Sequence, residues 1–273
     1  MSIDFHKAVT SGTVATISSP SNERVRRVQA LLRSTRRRLL EELLVVEGLR
    51  LAGEAVLSGL PLTWAFFTPD FATGARGAAL IAALTERQTP TWEVTPPVMA
   101  ALSDTETPQG IVVVLPVPVL QPRPGLALIL DGIRDPGNLG TILRTAWAAG
   151  VGQTLVLPGC VDFTAPKVLR SAMGAHFHVP VRRISWEQVR QEVPEPVWLA
   201  DADAAAAPYD RVDWSAAGGL IIGGEAEGAG AEARELSGVH RVTIPMAAGV
   251  EPLNAALSAA VLLFEAARQR AAA

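Results

Sequence analysis

Three segments in the second half of the chain combine residue types that hold ligands or stabilise charge. The first runs from Asp131 to Gly140 (DGIRDPGNLG) and on to Arg144; the second is Leu220–Gly230 (LIIGGEAEGAG); the third is Ile244–Asn254 (IPMAAGVEPLN). Each follows or opens on a short apolar run and breaks into Gly, Pro, Asn or Glu, the pattern of a strand ending in a tight turn. In an open α/β sheet such strand ends form the crevice where ligands bind. Three breaks of this kind, each with one or two polar side chains, predict a site.

The individual residues have structural and functional readings. Asn138 stands where an N-cap would, directly after Asp135-Pro136-Gly137. Arg144 lies two turns into a helix whose Ile142, Leu143, Ala146, Trp147 and Ala148 are almost all apolar. Its charge either snorkels to water or is aimed into a pocket. Glu225 follows two glycines that let a ligand approach the backbone closely. It is either a helix-start acid favoured by the macrodipole or part of the crevice lining. This segment is not G-x-G-x-x-G and does not follow its domain's first strand, which argues against a dinucleotide fingerprint.

Glu251-Pro252-Leu253-Asn254 suits the first turn of a closing helix, where proline is at home. His176 and His178, two apart, would share one face of a strand, with no third ligand in view for a metal. Lys167, Arg170 and Ser171 open a helix after Pro166 and reach either an anion or solvent. The sequence contains no G-x-S-x-G elbow, P-loop or H-E-x-x-H, so the familiar hydrolase and nucleotidase routes lack support.

These residues must be positioned by a chain of 273 residues, long enough for two domains of ordinary size. No apolar run approaches the ~20 residues needed to cross a bilayer. The start, MSIDFHKAVT, lacks the basic and apolar regions of an export signal. The single cysteine, Cys160, excludes an intramolecular disulfide and a structural zinc cluster and suits a reducing cytoplasm. The net charge of −3 hides a strong asymmetry: between Ser21 and Arg38 there are seven arginines against one acid, Glu23. Such a stripe is either the footprint of phosphate binding or a solvated helix face.

Residues 1–18 read as a loosely held tail. Ser19-Pro20-Ser21-Asn22 starts a helix in which Val25, Val28, Leu31, Leu32, Leu39, Leu40 and Leu43 recur at helical spacing. Strands at Leu43–Val46, Leu62–Thr68, Thr91–Val94 and Ile111–Leu115, with helices at Glu47–Ser58 and Arg76–Arg87, complete a unit spanning residues 19–115. Residues 116–124 carry four prolines between Pro116 and Pro124 and form an extended linker. Residues 125–273 alternate again: strands at Leu126–Leu130, Gln153–Leu157, Phe177–Val181, Val197–Ala200, Leu220–Ile222 and Val242–Ile244. Between and after them come helices at Asn138–Ala149, Pro166–Met173, Trp186–Glu192 and Leu253–Arg270. Alternation of this kind predicts a mostly parallel sheet covered on both faces.

In this order, the three segments resemble the motifs of the SpoU (TrmH-type) family of knotted, SPOUT-class RNA ribose 2′-O-methyltransferases. The first is similar to the family's Asp-x-x-x-Asp-Pro-x-Asn-x-Gly…Arg motif, the second to Gly-x-Glu-x-x-Gly, and the third to Ile-Pro-Met…Leu-Asn. Lys167–Gly174 resembles an intervening Arg-x-Ser/Ala-x-Gly-Ala stretch. Ile17–Arg24, Val45-Val46-Glu47-Gly48 with Glu54-Ala55, and Ser103–Gly110 are similar to the small ribosomal-protein-like α/β RNA-binding domain that many members carry.

The resemblance implies a C-terminal α/β domain with a deep trefoil knot that wraps S-adenosylmethionine. It implies that Gly223, Ile244, Met246 and Leu253 hold the cofactor, largely through main-chain groups. Asn138, Arg144, Glu225 and Asn254 would line the ribose-facing, catalytic side. A homodimer formed through the knot would let Arg144 act beside a cofactor held by either protomer. A guanidinium carries no acceptor, so Arg144 is expected to anchor phosphate and developing oxyanion charge rather than to act as base. Arg24, Arg26, Arg27, Arg36, Arg37 and Arg38 become the expected RNA contacts, with ribosomal RNA preferred over transfer RNA because of the extra N-terminal domain.

The family usually has Ser where this chain has Pro252. Ser258 stands roughly 9 Å further along by helical rise, too far to be a simple substitute. The expectation is therefore a cytoplasmic RNA 2′-O-methyltransferase that needs no metal or membrane. The alternative is a non-catalytic RNA-binding or ribosome-assembly protein on the same fold. A third possibility, a small-molecule enzyme using a nucleotide cofactor, would leave the arginine cluster idle.

Overall fold

The computed structural model describes residues 16–203, 205–224 and 228–272. The chain divides into two compact units, one running up to Val117 and including Thr164–Pro166, the other holding Pro118–Phe163 and Lys167 onward. Among the described residues no helix is long and apolar enough to cross a membrane.

The first unit contains β1 (Thr16–Ile17), α1 (Glu23–Arg33), α2 (Thr35–Glu41), β2 (Leu43–Glu47), α3 (Leu49–Leu57), β3 (Trp64–Phe67), α4 (Pro69–Thr73), α5 (Ala75–Glu86), β4 (Thr91–Val94), α6 (Pro96–Ala101) and β5 (Ile111–Pro116). Its strands form a mixed sheet in the order β1-β4-β3-β5-β2. Val25, Val28 and Leu31 recur on one face of α1 and pack on Trp64, Phe66, Val112 and Val114. Each such fully buried side chain contributes about 1.5–3 kcal/mol. The helical spacing expected to continue through Leu39 and Leu40 is broken at Ser34, whose side chain accepts the Arg37 N–H at 3.3 Å and starts α2. The new helix has its own phase, and Leu39 and Leu40 end up 46% and 68% exposed.

Two stretches of the first unit that are far apart in sequence meet at Glu47. Its carboxylate accepts the Ser103 hydroxyl at 2.8 Å, the Thr105 hydroxyl at 3.1 Å and the Gln109 N–H at 3.3 Å. One acid thereby closes the loop that leads into β5.

The second unit contains β6 (Ala127–Asp131), α7 (Pro136–Ala148), β7 (Gln153–Val156), α8 (Pro166–Ala172), β8 (Val181–Arg183), α9 (Trp186–Glu192), β9 (Val197–Ala200), β10 (Ala207–Pro208), β11 (Gly219–Gly223), α10 (Ala231–Arg234), β12 (Val239–Thr243) and α11 (Ala255–Ala272). The sheet order is β10-β12-β9-β11-β6-β7-β8, and every pairing is parallel. The central β6 is buried along its whole length and β11 is nearly so, as expected for a strand covered on both faces. The edges are blunted: β10 has two residues, and β8 carries Arg182 and Arg183.

Among the expected boundaries that move, three have a clear local cause. Helix α7 starts at Pro136, not Asn138, because Asp135 takes the cap and proline fits the first helical position. The closing helix starts at Ala255, after Asn254, instead of at Leu253. The expected strand Phe177–Val181 is a 3-10 turn at Ala175–Phe177 followed by β8. Phe177 and Val179 alternate with polar neighbours and mimic a strand, yet both are buried by the turn that follows Gly174, φ 96°.

Helix α7 lies so close to α8 that a Cβ on Gly140 would stand 2.4 Å from Ser171 Cβ and 2.7 Å from the Val168 carbonyl. Gly140→Ala is expected to lower stability by about 1–3 kcal/mol through overpacking. Denaturant unfolding, compared with an Ala substitution at exposed Thr141, measures the difference.

Candidate functional site

Because all strands of the second sheet run in one direction, their C-terminal ends share one edge. The register sets Gly223 beside Asp131 and Ala200 beside Val242. At this edge lies a cleft of ≈ 690 Å³. Leu199 to Ala202 at the end of β9, Ile222 to Gly224 at the end of β11 and Val242 to Met246 at the end of β12 line it, together with Pro252, Leu253, Ser258 and Leu262 of the final segment.

The turns that shape the cleft depend on glycine. A Cβ on Gly223 would lie 2.2 Å from Ala229 N, and one on Gly224 would lie 2.4 Å from the Gly132 carbonyl. The chain closes on itself here, Gly224 N donating to Gly228 O at 3.1 Å and Gly228 N to Gly224 O at 3.0 Å. Asp131, 9% exposed, then accepts the Gly230 N–H at 2.7 Å and ties the end of β6 to the turn after β11. Beneath it, Cys160 Sγ donates to the Leu130 carbonyl and accepts from Ile133 N, each at 3.3 Å; burial pushes its thiol pKa up.

Gly223, Ile244, Met246 and Leu253, separated by up to thirty residues of chain, come together around this one cleft. Asn138, Arg144 and Asn254 are not among its described lining residues. Asn138 sits in the first turn of α7 with its N–H on Asp135 Oδ1 at 2.7 Å, so the capping role expected of it belongs to Asp135. Arg144 is exposed on α7. Asn254 caps α11, accepting the Leu257 N–H at 2.8 Å. Glu225 lies outside the described residues.

Pro252 precedes α11 instead of opening it, so helical rise does not measure its separation from Ser258. Both line the cleft, and the Ser258 hydroxyl points to the Leu253 carbonyl at 3.5 Å.

The expected basic surface of the first unit divides in two. Arg24 stacks on Trp92 at 4.7 Å; Arg27 stacks on Trp64 at 4.8 Å and pairs with Glu41 at 2.6 Å. Arg37 also pairs with Glu41, at 2.6 Å. Arg38 departs furthest from the expected RNA contact. It is 5% exposed, and its guanidinium donates to the Leu31 carbonyl at 2.6 Å, the Leu32 carbonyl at 3.2 Å and the Thr35 hydroxyl at 3.0 Å. It thereby satisfies the C-terminal end of α1. Arg26, Arg33 and Arg36 are exposed and make no ion pair with a described residue.

The two histidines do not share a face. His176 is buried with Nε2 at 2.8 Å from the Phe163 carbonyl, whereas His178 stacks on Trp147 at 4.1 Å. Sequence reasoning also passed over Asp201 and Arg234, which stand in the cleft wall. The available signal was a fourth break of the same kind, Asp201-Ala202-Asp203 directly after the apolar strand Val197–Ala200.

Burial lowers the His176 pKa to about 4, from 6.5. Between these values the unfolded chain binds a proton that the folded chain does not, so stability falls as pH drops from 6.5 towards 4. The loss is about 3 kcal/mol at full extent. His176→Gln should flatten the stability–pH slope in this window whatever its effect on absolute stability, as measured by denaturant unfolding at several pH values.

Residues 125–264 match the SpoU rRNA methylase family, and residues 22–113 match an MRM3-like substrate binding domain. Mitochondrial rRNA methyltransferase 3 of Mus musculus is 35% identical over 230 residues, covering 61% of this chain and 54% of that protein. The chain spans about half the length of that relative and of its zebrafish and human counterparts. A 23S rRNA (guanosine(2553)-2′-O)-methyltransferase of Bacillus subtilis is 35% identical over 175 residues, 60% of this chain and 67% of that one. The AdoMet-bound rRNA methyltransferase from Sinorhizobium meliloti superimposes with a TM-score of 0.81 at 26% identity, covering 94% of this chain and 98% of that one.

Proposed function

Because the chain belongs to the SpoU rRNA methylase family, we propose that it transfers a methyl group from S-adenosylmethionine to a ribose 2′-hydroxyl of ribosomal RNA. The observation that carries this reading is the convergence of Gly223, Ile244, Met246 and Leu253 on one cleft. Its volume, ≈ 690 Å³, lies within the range of small-molecule sites. Its apolar walls suit a purine and a thioether, and the main chain at Gly223, Gly224 and Gly228 and from Ile244 to Met246 supplies N–H and C=O groups for polar edges. The residues present therefore fit the cofactor, which when bound supplies an electrophilic methyl on a sulfonium.

The protein's own contribution is positioning and electrostatics. Gly223, Ile244, Met246 and Leu253 hold the cofactor, and Asn138, Glu225 and Asn254 orient the target ribose. Arg144 binds the phosphate beside the target nucleotide and stabilises negative charge on the attacking oxygen.

Exposed Arg144, outside the lining of its own chain's cleft, suits a homodimer in which it faces the partner's cofactor. Exposed apolar side chains on the same two packed helices support this reading: Trp147 of α7 is 36% exposed, and Leu257 and Phe264 of α11 are 54% and 53% exposed. We further read residues 125–273 as a catalytic domain whose final segment is threaded in a trefoil knot, residues 19–115 as the RNA-docking domain, residues 116–124 as their linker, and the cytoplasm as the place of action.

Two experiments test this. Methyl-labelled S-adenosylmethionine and unmodified ribosomal RNA should give label at one ribose 2′-O position. Arg144→Ala should reduce turnover by a factor of about 100 or more, and Arg144→Lys should not restore it. Cofactor and RNA binding without any transfer would instead support a non-catalytic RNA-binding protein, with Pro252 in the cleft wall as the first position to revert to serine.

For docking, replacing Arg26, Arg33 and Arg36 together by Ala should lower the slope of log K against log salt by roughly 2–3. Arg24→Ala and Arg27→Ala should mainly reduce thermal stability, since their guanidinium groups are committed to Trp92, Trp64 and Glu41.

A further inference from the structure

We propose that Asp201 is the acceptor for the ribose diol of the bound adenosyl group and makes the cleft selective for ribonucleosides. The residue follows β9 directly and lines the cleft with Leu199 and Ala200. Its side chain is 15% exposed. Oδ1 accepts the Asp203 N–H at 3.1 Å. Arg234 Nη1 and Arg241 Nε stand 3.7 and 3.9 Å from Oδ2, close enough to balance its charge but beyond hydrogen-bond length. Among the described residues no group donates a hydrogen bond to Oδ2.

A carboxylate oxygen on the cleft wall with no protein donor takes its hydrogen bonds from water or from a ligand, and has less to gain from further charge. An ammonium or sulfonium gains little, because the two arginines already compensate the negative charge. Neutral hydroxyls gain most, and a vicinal diol offers two to one carboxylate. The position is also the one that chemistry favours: an acidic side chain at the C-terminal end of a parallel strand reads ribose hydroxyls in other α/β nucleotide sites. Arg234 fits as the positioning residue. Its Nε donates to the Ala229 carbonyl at 3.3 Å, so the guanidinium that faces Asp201 is anchored to another lining residue of the same cleft.

The inference rests on reading the cleft as an adenosyl-cofactor site, and the test separates the two. Affinities of S-adenosylhomocysteine and its 2′-deoxy analogue are measured calorimetrically on the full chain, for wild type, Asp201→Ala and Asp201→Asn. Wild type should prefer the ribo form by roughly tenfold or more, as expected for hydrogen bonds to a charged group. The preference should collapse towards unity in Asp201→Ala and fall part-way in Asp201→Asn, which retains one acceptor oxygen.

An unchanged ribo-to-deoxy ratio in both variants overturns the proposal, even if affinity for both ligands drops, because Asp201 would then only brace the turn. A wild type that binds both ligands equally also overturns it. Failure of wild type to bind either ligand removes the cofactor reading itself.

Discussion

Parallel pairing of all seven strands in the second sheet is the constraint on which the site depends. Strands that run in one direction release their C-terminal ends at one edge, so turns from remote parts of the chain must crowd together there. The crowding is tolerable only if backbone replaces side chains. Gly223 and Gly224 stand where a Cβ would strike Ala229 and Gly132. Asp131 then holds the crowded turns in one arrangement through its bond to Gly230. A cleft whose lining includes Gly223, Gly224 and Gly228 is the consequence.

The first unit shows one residue type divided between two tasks. A guanidinium can stack on an indole, pair with a carboxylate and satisfy helix-end carbonyls, all with the same planar donor set. Arg24, Arg27 and Arg38 do these things and build the unit. Arg26, Arg33 and Arg36 are left exposed on the surface. A count of positive charge along the chain overstates the exposed basic surface, because helix phase and the tryptophans of neighbouring strands decide which arginines are spent on packing.

Cap assignment shows where local reading reaches its limit. Asp135 and Asn138 are both good cap residues three positions apart, and so are Glu251 and Asn254 as helix-start polar residues. Propensity alone does not choose between them. Pro136 resolves the first case once its fixed φ is placed at the first helical position, and Asn254 resolves the second by accepting the Leu257 N–H. The histidines misled for a related reason. Alternation of polar and apolar residues around Phe177 is the signature of a strand, and it is also satisfied by a turn that buries both Phe177 and Val179.

The sequence by itself determined the alternation of strands and helices, the proline-rich junction, the three glycine-marked strand ends and the family they resemble. These are local properties, set by side-chain periodicity and by which residues tolerate a turn. Only the tertiary structure decided that Gly223, Ile244, Met246 and Leu253 share one cleft, that Asp201 and Arg234 stand in its wall, and that Arg38 is buried while Arg36 is not. Strand order and helix phase are long-range outcomes of packing the whole core. Residues far apart in the chain have no local signal of the side on which they will meet.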